Sequence, residues 1–450
     1  MARATAPERI AVRMYQVGFG DCFLVSVTYR RPLHDGRAER HLLVDFGSTH
    51  SPRGQRLDMA AIAKRIGDDC GGKLDAVVVT HRHKDHLSGF ANDEAFAVIE
   101  ALDPTLVVQP WTENPEAVAS ATGPVGVASR RFRAALAAGD DFADELSRAL
   151  AGRAGGLRGD LRQVAEDQLK NAEASGRLNR WAAERDGEYL HAGASSKLDQ
   201  LVPGLSVDVL GPPTVDQHPE VANQLARDPE YWMLYRGLLS TGRPTHTLSA
   251  TDGNYGDGAG TEPGEEPPGG TVVEVSSAAR ELAIPAGPAR WLAERLQRQQ
   301  LHSLQRIVRS LDDALNNTSL VLVFTIGTRR LLFPGDAQIE NWRYTLDRLP
   351  KDKGLERRLS EVDLYKVGHH GSRNATPRSL VQLWHGDPPL VALLSTRPGV
   401  HGKTEATAVP RATLVTALEQ RAELYSTEDL DQGGAVVVQA EARGREPFLP

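Results

Sequence analysis

Five of the chain's fourteen histidines fall in two short runs, His81-Arg82-His83-Lys84-Asp85-His86 and His369-His370, each directly after an apolar stretch of strand type. Side chains alternate along an extended segment, so His81 and His83, two apart, point to one side. Asp85 and His86, on the next turn, can then face the same point from another side. Three imidazoles this close beside one carboxylate would repel one another as cations, and a metal binding them neutral removes that cost. Neutral imidazole at a strand end suits Zn first, with Mn or Fe as alternatives, so one or two divalent ions are the expected cofactor. The competing reading of the run is a solvated polar turn.

Asp336, in Phe333-Pro334-Gly335-Asp336, places a further carboxylate at a sheet edge, although Gly-Asp by itself is an ordinary turn pair. His369 ends its strand directly and is preferred over His370 as a ligand. Gly371-Ser372 allows close backbone approach to a substrate. Asp21 and Asp45 read as groups that orient ligand imidazoles. Bound divalent metal brings the pKa of water toward ~7 and polarises the bond being cut, so hydrolysis is the expected chemistry. Asp85, His86 and His369 are the catalytic expectation, with Asp85 holding the attacking water. Lys84, Arg82 and Arg373 lie beside these ligands and would attract an anionic substrate.

The elements that must position these groups are legible around them. Ile10 to Val17, Cys22 to Tyr29 and His41 to Phe46 read as a strand meander, and Leu74 to Thr80 is a β-branched run of buried-strand type leading into the first histidine cluster. Asp58 to Ile66 has helical spacing. After Asn316-Asn317 come strands at Leu320 to Thr325, Arg330 to Phe333, Val362 to Val367, Leu390 to Leu394, Glu423 to Tyr425 and Ala435 to Gln439. Helices are expected near Pro377 to Trp384 and over Pro410 to Gln420. The alternation indicates a layered α/β architecture.

Between Pro115 and Leu201 the composition turns to Ala, Arg, Leu, Glu and Gln, which predicts helices. Ser206 to Leu210 returns to strand character, Glu230 to Leu239 forms an aromatic-rich patch, and Gly242 to Gly270, rich in Gly, Pro and acids, predicts a mobile excursion. Gly287 to Leu315 again has helical periodicity. The expected organisation is residues 1–114 and 316–450 as two halves of a hydrolase core, with 115–315 as a helical insertion capping it.

Composition bounds the function. The 450 residues are 40% hydrophobic and 25% charged, ordinary for a folded chain. A net charge of −7 argues against a general polyanion-binding surface while allowing a local basic groove. Only Cys22 and Cys70 are present, so a disulfide framework and a Cys-rich zinc module are excluded and a reducing, cytoplasmic compartment fits. No apolar run approaches membrane-spanning length, and no leader pattern opens the chain.

The run Thr80-His81-Arg82-His83-Lys84-Asp85-His86-Leu87-Ser88-Gly89 resembles the HxHxDH signature of the metallo-β-lactamase-fold hydrolases. Val17-Gly18-Phe19-Gly20-Asp21-Cys22 and Leu42-Leu43-Val44-Asp45-Phe46-Gly47 resemble the opening hairpin of that superfamily. Three further segments, Asn316-Asn317-Thr318-Ser319-Leu320, Leu332-Phe333-Pro334-Gly335-Asp336 and Val367-Gly368-His369-His370-Gly371-Ser372, are similar to the branch typified by the soluble hydrolase domain of ComEC competence proteins. So are Leu394-Ser395-Thr396 and Pro410 to Thr427, with His401-Gly402-Lys403-Thr404 where the branch has Gly-His-Pro. His401 reads there as a substrate-side residue or as part of a mobile loop. The matched stretches are Ile10 to Gly89 and Asn316 to Val438; Pro115 to Gly287 is unmatched.

The resemblance implies a four-layer αββα sandwich with metal at one end of the two sheets. Carried over, His81 and His83 bind one ion, Asp85 and His86 the other, Asp336 bridges them, and a histidine of the His369-His370 pair completes the second site. Many two-metal members have a further histidine between HxHxDH and the bridging Asp. The residues available here, His191, His218, His246 and His302, lie in the unmatched region and read as ordinary surface or capping histidines. The implied activity is phosphodiester hydrolysis by a nuclease or nucleotide phosphodiesterase, with nucleic acid among the anionic substrates. Hydrolysis of an ester, lactone or amide is the second expectation. The third is an interaction module docking a protein partner through residues 115–315.

Overall fold

The computed structural model describes residues 6–54, 56–115, 173–222, 229–230, 315–385, 389–400, 407–430, 433–444 and 446–450. Among these, two mixed sheets carry the fold. The first contains β1 (Pro7–Tyr15), β2 (Cys22–Tyr29), β3 (Glu39–Phe46), β4 (Ala76–Val78), β5 (Leu106–Pro110) and β6 (Asp186–Leu190) in sequential order. The second contains β7 (Leu205–Gly211), β8 (Val321–Ile326), β9 (Arg329–Phe333), β10 (Leu364–Lys366), β11 (Leu390–Leu394) and β12 (Ala422–Ser426), also sequential. The last strand, β13 (Ala435–Glu441), returns to the first sheet and pairs antiparallel with β1.

Both sheets are wired alike. β1-β2-β3 is an antiparallel meander, after which β4, β5 and β6 add in parallel. β7-β8-β9 is likewise antiparallel, and β10, β11 and β12 add in parallel. Parallel neighbours need crossovers, and these supply the helices.

Strand alternation decides which side chains meet. Phe23, Val25 and Val27 of β2 share one apolar core with Leu322, Phe324 and Ile326 of β8, so the two sheets face each other. Cys22 and Leu24 point the opposite way, into a second core with Ile62, Ala63 and Ile66 of helix Met59–Asp69, Ile99 of helix Asp93–Ala101 and Trp181. Val321 and Val323 point into a third core with Trp342, Leu355, Leu380 and Leu414, one from each of helices Ile339–Leu346, Lys353–Ser360, Arg378–Leu383 and Ala412–Glu419. Each such aliphatic or aromatic side chain contributes about 1.5–3 kcal/mol on burial, so the layer order is set by apolar alternation.

Two strands fall inside the 115–315 stretch expected to be a helical insertion. β6 closes the first sheet beside β5, and β7 pairs with β8 at the edge of the second. β6, Asp186-Gly187-Glu188-Tyr189-Leu190, is short and mostly polar because it is an edge strand, and it therefore lacks the apolar signature of the buried strands. Residues 173–184 are helical, as composition implied. Residues 116–172, 223–228 and 231–314 lie outside the described residues, and with them Gly242 to Gly270, nearly all of Gly287 to Leu315, His246 and His302, as does His401. Among the described residues no helix is long and apolar enough to cross a membrane.

Candidate metal centre

C-terminal ends of strands from both sheets meet at one edge, and four of them deliver polar side chains there. β3 delivers Asp45, the segment after β4 delivers His81, His83, Asp85 and His86, the turn after β9 delivers Asp336, and the turn after β10 delivers His369 and His370. Side-chain atoms of Asp85, His86, Asp336 and His370 lie within 4.8 Å of one another, and so do those of Asp21, Asp45 and His86.

The imidazoles are oriented from behind. Nδ1 of His86 is 2.8 Å from Asp45 Oδ2, and Asp45 also accepts from the Thr80 amide and hydroxyl, both at 2.7 Å. Nδ1 of His370 is 2.9 Å from the Ser395 carbonyl. A carbonyl or carboxylate oxygen can only accept, so each Nδ1 carries hydrogen, and for a neutral ring the lone pair resides on Nε2. Those Nε2 atoms both face Asp336 Oδ2, His86 at 3.1 Å and His370 at 3.5 Å. His86 Nε2 and Asp336 Oδ2 are buried and make no hydrogen bond, so they are near each other without the alignment of one. His370 Nε2 is also 3.1 Å from Asp85 Oδ2. A carboxylate oxygen facing Nε2 calls for positive charge there, either a ring proton or an ion between the two, and the outer N–H anchored on an acceptor is the usual support of a metal-binding histidine. Two imidazole nitrogens with two carboxylates suit a divalent Zn, Mn or Fe ion.

The charge balance agrees. Asp21, Asp45, Asp85 and Asp336 are countered by one buried ammonium, Lys366, which pairs with Asp21 and lies 3.1 Å from Asp336 Oδ1. Burial would lower His86, but Asp336, Asp45 and Asp21 hold it well above the ordinary imidazole value. His370 is raised in the same way, with burial opposed by Asp336, Asp21 and Asp85. Burial would raise Asp336, yet His86, Lys366 and His370 keep it well below the usual carboxylate range. The same opposition, of burial against a hydrogen bond from His370 and the charge on His86, holds Asp85 low. A cation is thus favoured where the four groups converge. Asp85 is 15% exposed on its side chain while the others are sealed, so it forms the open wall of the site.

Backbone strain concentrates here. Among the described residues, four non-glycine residues have positive φ, and three of them, Asp45 (56°), His369 (46°) and His370 (52°), are at this edge. Such conformations cost on the order of 1–3 kcal/mol each and persist where surrounding structure imposes them. Gly47 lets β3 pass under the first cluster, since a Cβ there would sit 2.5 Å from the His86 amide nitrogen.

Several expected roles shift. His370, not the preferred His369, enters the four-residue group. The left-handed turn over both residues swings the second ring inward, and His369 Nε2 is left 3.9 Å from Asp336 on a side chain 25% exposed. His369 instead donates its amide to Asp336 Oδ1 at 3.1 Å, and burial lowers its ring to about 4, so it is neutral at pH 7. Asp21 lies 3.6 Å from His86 Nδ1 and 3.7 Å from His370 Nδ1, with Lys366 as its close partner. Gly371 packs on Pro410, where a Cβ would meet its Cβ at 2.8 Å, and so does not open toward a substrate. Ser372 donates to Asn374 Oδ1 at 2.9 Å. Lys84 is half-buried at the start of helix Lys84–Leu87, and Arg82 lies 3.8 Å from Glu113. His191 and His218 belong to neither group. Lys366 was missed by sequence reasoning; a lysine closing an apolar strand directly before the His-His turn was its signal.

No family model matches this chain, and a search of curated proteins finds no match.

Proposed function

We propose that this chain is a metal-dependent hydrolase of the metallo-β-lactamase fold that cleaves phosphodiesters. The observation that carries the reading is the pair of anchored imidazoles, His86 and His370, whose Nε2 atoms face the buried, hydrogen-bond-free oxygen of Asp336. The layer order of helices, sheet, sheet and helices supports the fold assignment, as does a site at the C-terminal strand ends.

Asp85, His86, Asp336 and His370 would hold an ion, which when bound supplies an activated water and polarises the scissile bond. Asp85, on the open wall, would orient that water and take its proton. Lys366 holds Asp336 in place and keeps it ionised. The neutral His369 adds no charge at the open side. Beyond Ser395 the same edge opens into a pocket of about 80 Å³ whose lining includes Gly18, Arg53, Thr396, Arg397 and Glu428. Two guanidinium groups against one carboxylate favour an anionic substrate there.

Elemental analysis of the purified full-length chain, with hydrolysis assays on bis-p-nitrophenyl phosphate, DNA, RNA and p-nitrophenyl acetate with and without chelator, tests this. Bound divalent metal and chelator-sensitive phosphodiester cleavage are expected. Turnover of the acetate alone would replace the substrate assignment, and absence of metal would remove the metal reading.

A further inference from the structure

We propose that Asn316 is a metal ligand, its side-chain amide oxygen completing a second ion position with His81 and His83. This rests on the metal-site reading above and extends it to atoms outside the four-residue group. His81 Nε2 lies 3.0 Å from His83 Nδ1, and Asn316 Oδ1 lies 3.1 Å from that same Nδ1. All three residues are buried. Thr80 Oγ1, whose hydrogen goes to Asp45, is 3.3 Å from His81 Nδ1 and accepts from it, which leaves the His81 lone pair on Nε2.

An imidazole nitrogen has one in-plane N–H or one lone pair. His83 Nδ1 therefore cannot make a well-formed hydrogen bond to His81 and to Asn316 at once. The convergence is what a cation organises. Ligands 2.0–2.1 Å from a tetrahedral ion are separated by roughly 3.3 Å, close to both measured edges.

Asn316 is held in place by the fold. Residues 315–316 are helical, and the chain then turns through Thr318, whose hydroxyl donates to the Leu315 carbonyl at 2.7 Å. Leu320 donates its amide to Thr80 at 2.8 Å, and Asn341 Nδ2 grips the carbonyls of Asn317 and Ser319 at 3.0 and 2.8 Å. The turn is thereby pinned to the same strand end that carries His81.

An amide oxygen is harder than imidazole and, being neutral, a weaker donor than a carboxylate, which suits Mn more than Zn. This position accordingly binds its ion more weakly than the one at Asp336, and the two fill in sequence.

The test is Co²⁺ and Mn²⁺ titration of the metal-free full-length chain, read by visible absorption, electron paramagnetic resonance and elemental stoichiometry. Wild type should take two equivalents in separable steps. Asn316→Ala should keep the first and weaken the second by more than tenfold, with the melting temperature of the metal-free protein unchanged. Asn316→His should restore the second step and change its Co²⁺ absorption, because the donor atom changes. A residue that merely orients His83 would leave that spectrum as in wild type, and this outcome, or an unaltered second step in Asn316→Ala, overturns the proposal. Binding of one equivalent by wild type overturns it while leaving the Asp336 site intact; binding of none defeats both. If Asn316→Ala does not fold, the Asn316→His spectrum still decides.

Discussion

At the N-terminal ends of the parallel strands, Asp75 before β4 takes a two-pronged contact from Arg37 at 2.6 and 2.9 Å, accepts the His41 amide at 2.8 Å, and has Arg40 Nε at 3.5 Å. Asp363 before β10 repeats the arrangement with Arg329 at 2.9 Å and the Arg330 amide at 2.8 Å. At the C-terminal ends of the same strands, Asp336 and its neighbours face the Nε2 atoms of two imidazoles and share one lysine. Both ends hold buried or half-buried aspartates, yet one end satisfies them within the chain and the other leaves them short of positive charge. A buried carboxylate with its arginine is a clasp; a buried carboxylate without one is a place for an ion.

The largest expected effect comes from breaking the deficient end. Asp336→Asn keeps the oxygen that Lys366 and the His369 amide use but removes the charge. Bound metal and phosphodiester cleavage should fall by more than the roughly 10–100-fold that supporting partners cost, with circular dichroism unchanged. Metal content at the wild-type level would erase the distinction between the two ends.

Breaking the satisfied end should do the reverse. Asp75→Ala strands the Arg37 guanidinium and leaves the almost fully buried Arg40 with Asp35, at 2.9 Å, as its remaining carboxylate. It should cost about 3–5 kcal/mol of stability, read as a lower denaturant midpoint, while metal per folded chain stays as in wild type. Loss of metal without loss of stability would show that the clasp is part of the site.

The smallest effect belongs to His41, beside that clasp and hydrogen-bonded to Ser26 at 2.9 Å. Burial lowers its pKa, against the pull of Glu39 and Asp75. Between the depressed folded value and the unfolded value of about 6.5, the unfolded chain binds the extra proton. Stability is therefore untouched above that window and falls as pH drops through it. His41→Gln should make the decline in melting temperature between pH 7 and 5.5 shallower than in wild type; an identical slope would mean that the satisfied end does not titrate there.

Much of the frame is legible in the sequence because strand signals are local. Cys22–Tyr29 and Leu390–Leu394 are bounded by the residues that their apolar runs indicate, and β10 is two residues shorter at one end and one at the other than its run. β6 shows no signal because an edge strand needs no apolar alternation, and β5 because its aliphatic run, Leu106-Val107-Val108, is too short to carry a period of its own.

At the site, the types His81, His83, Asp85, His86 and Asp336 and the adjacency of two histidines are properties of the chain alone, since each lies where an apolar strand runs out. The choice between His369 and His370 is decided by a left-handed turn that points one ring inward and the other outward. Lys366 and Asn316 acquire their roles only when the sheets pack face to face, because their partners Asp21, His81 and His83 are more than 200 residues away in sequence. Local pattern determines which residues stand at strand ends; the shared core between the sheets determines which ends meet, and with that whether a buried charge finds an arginine or waits for a metal.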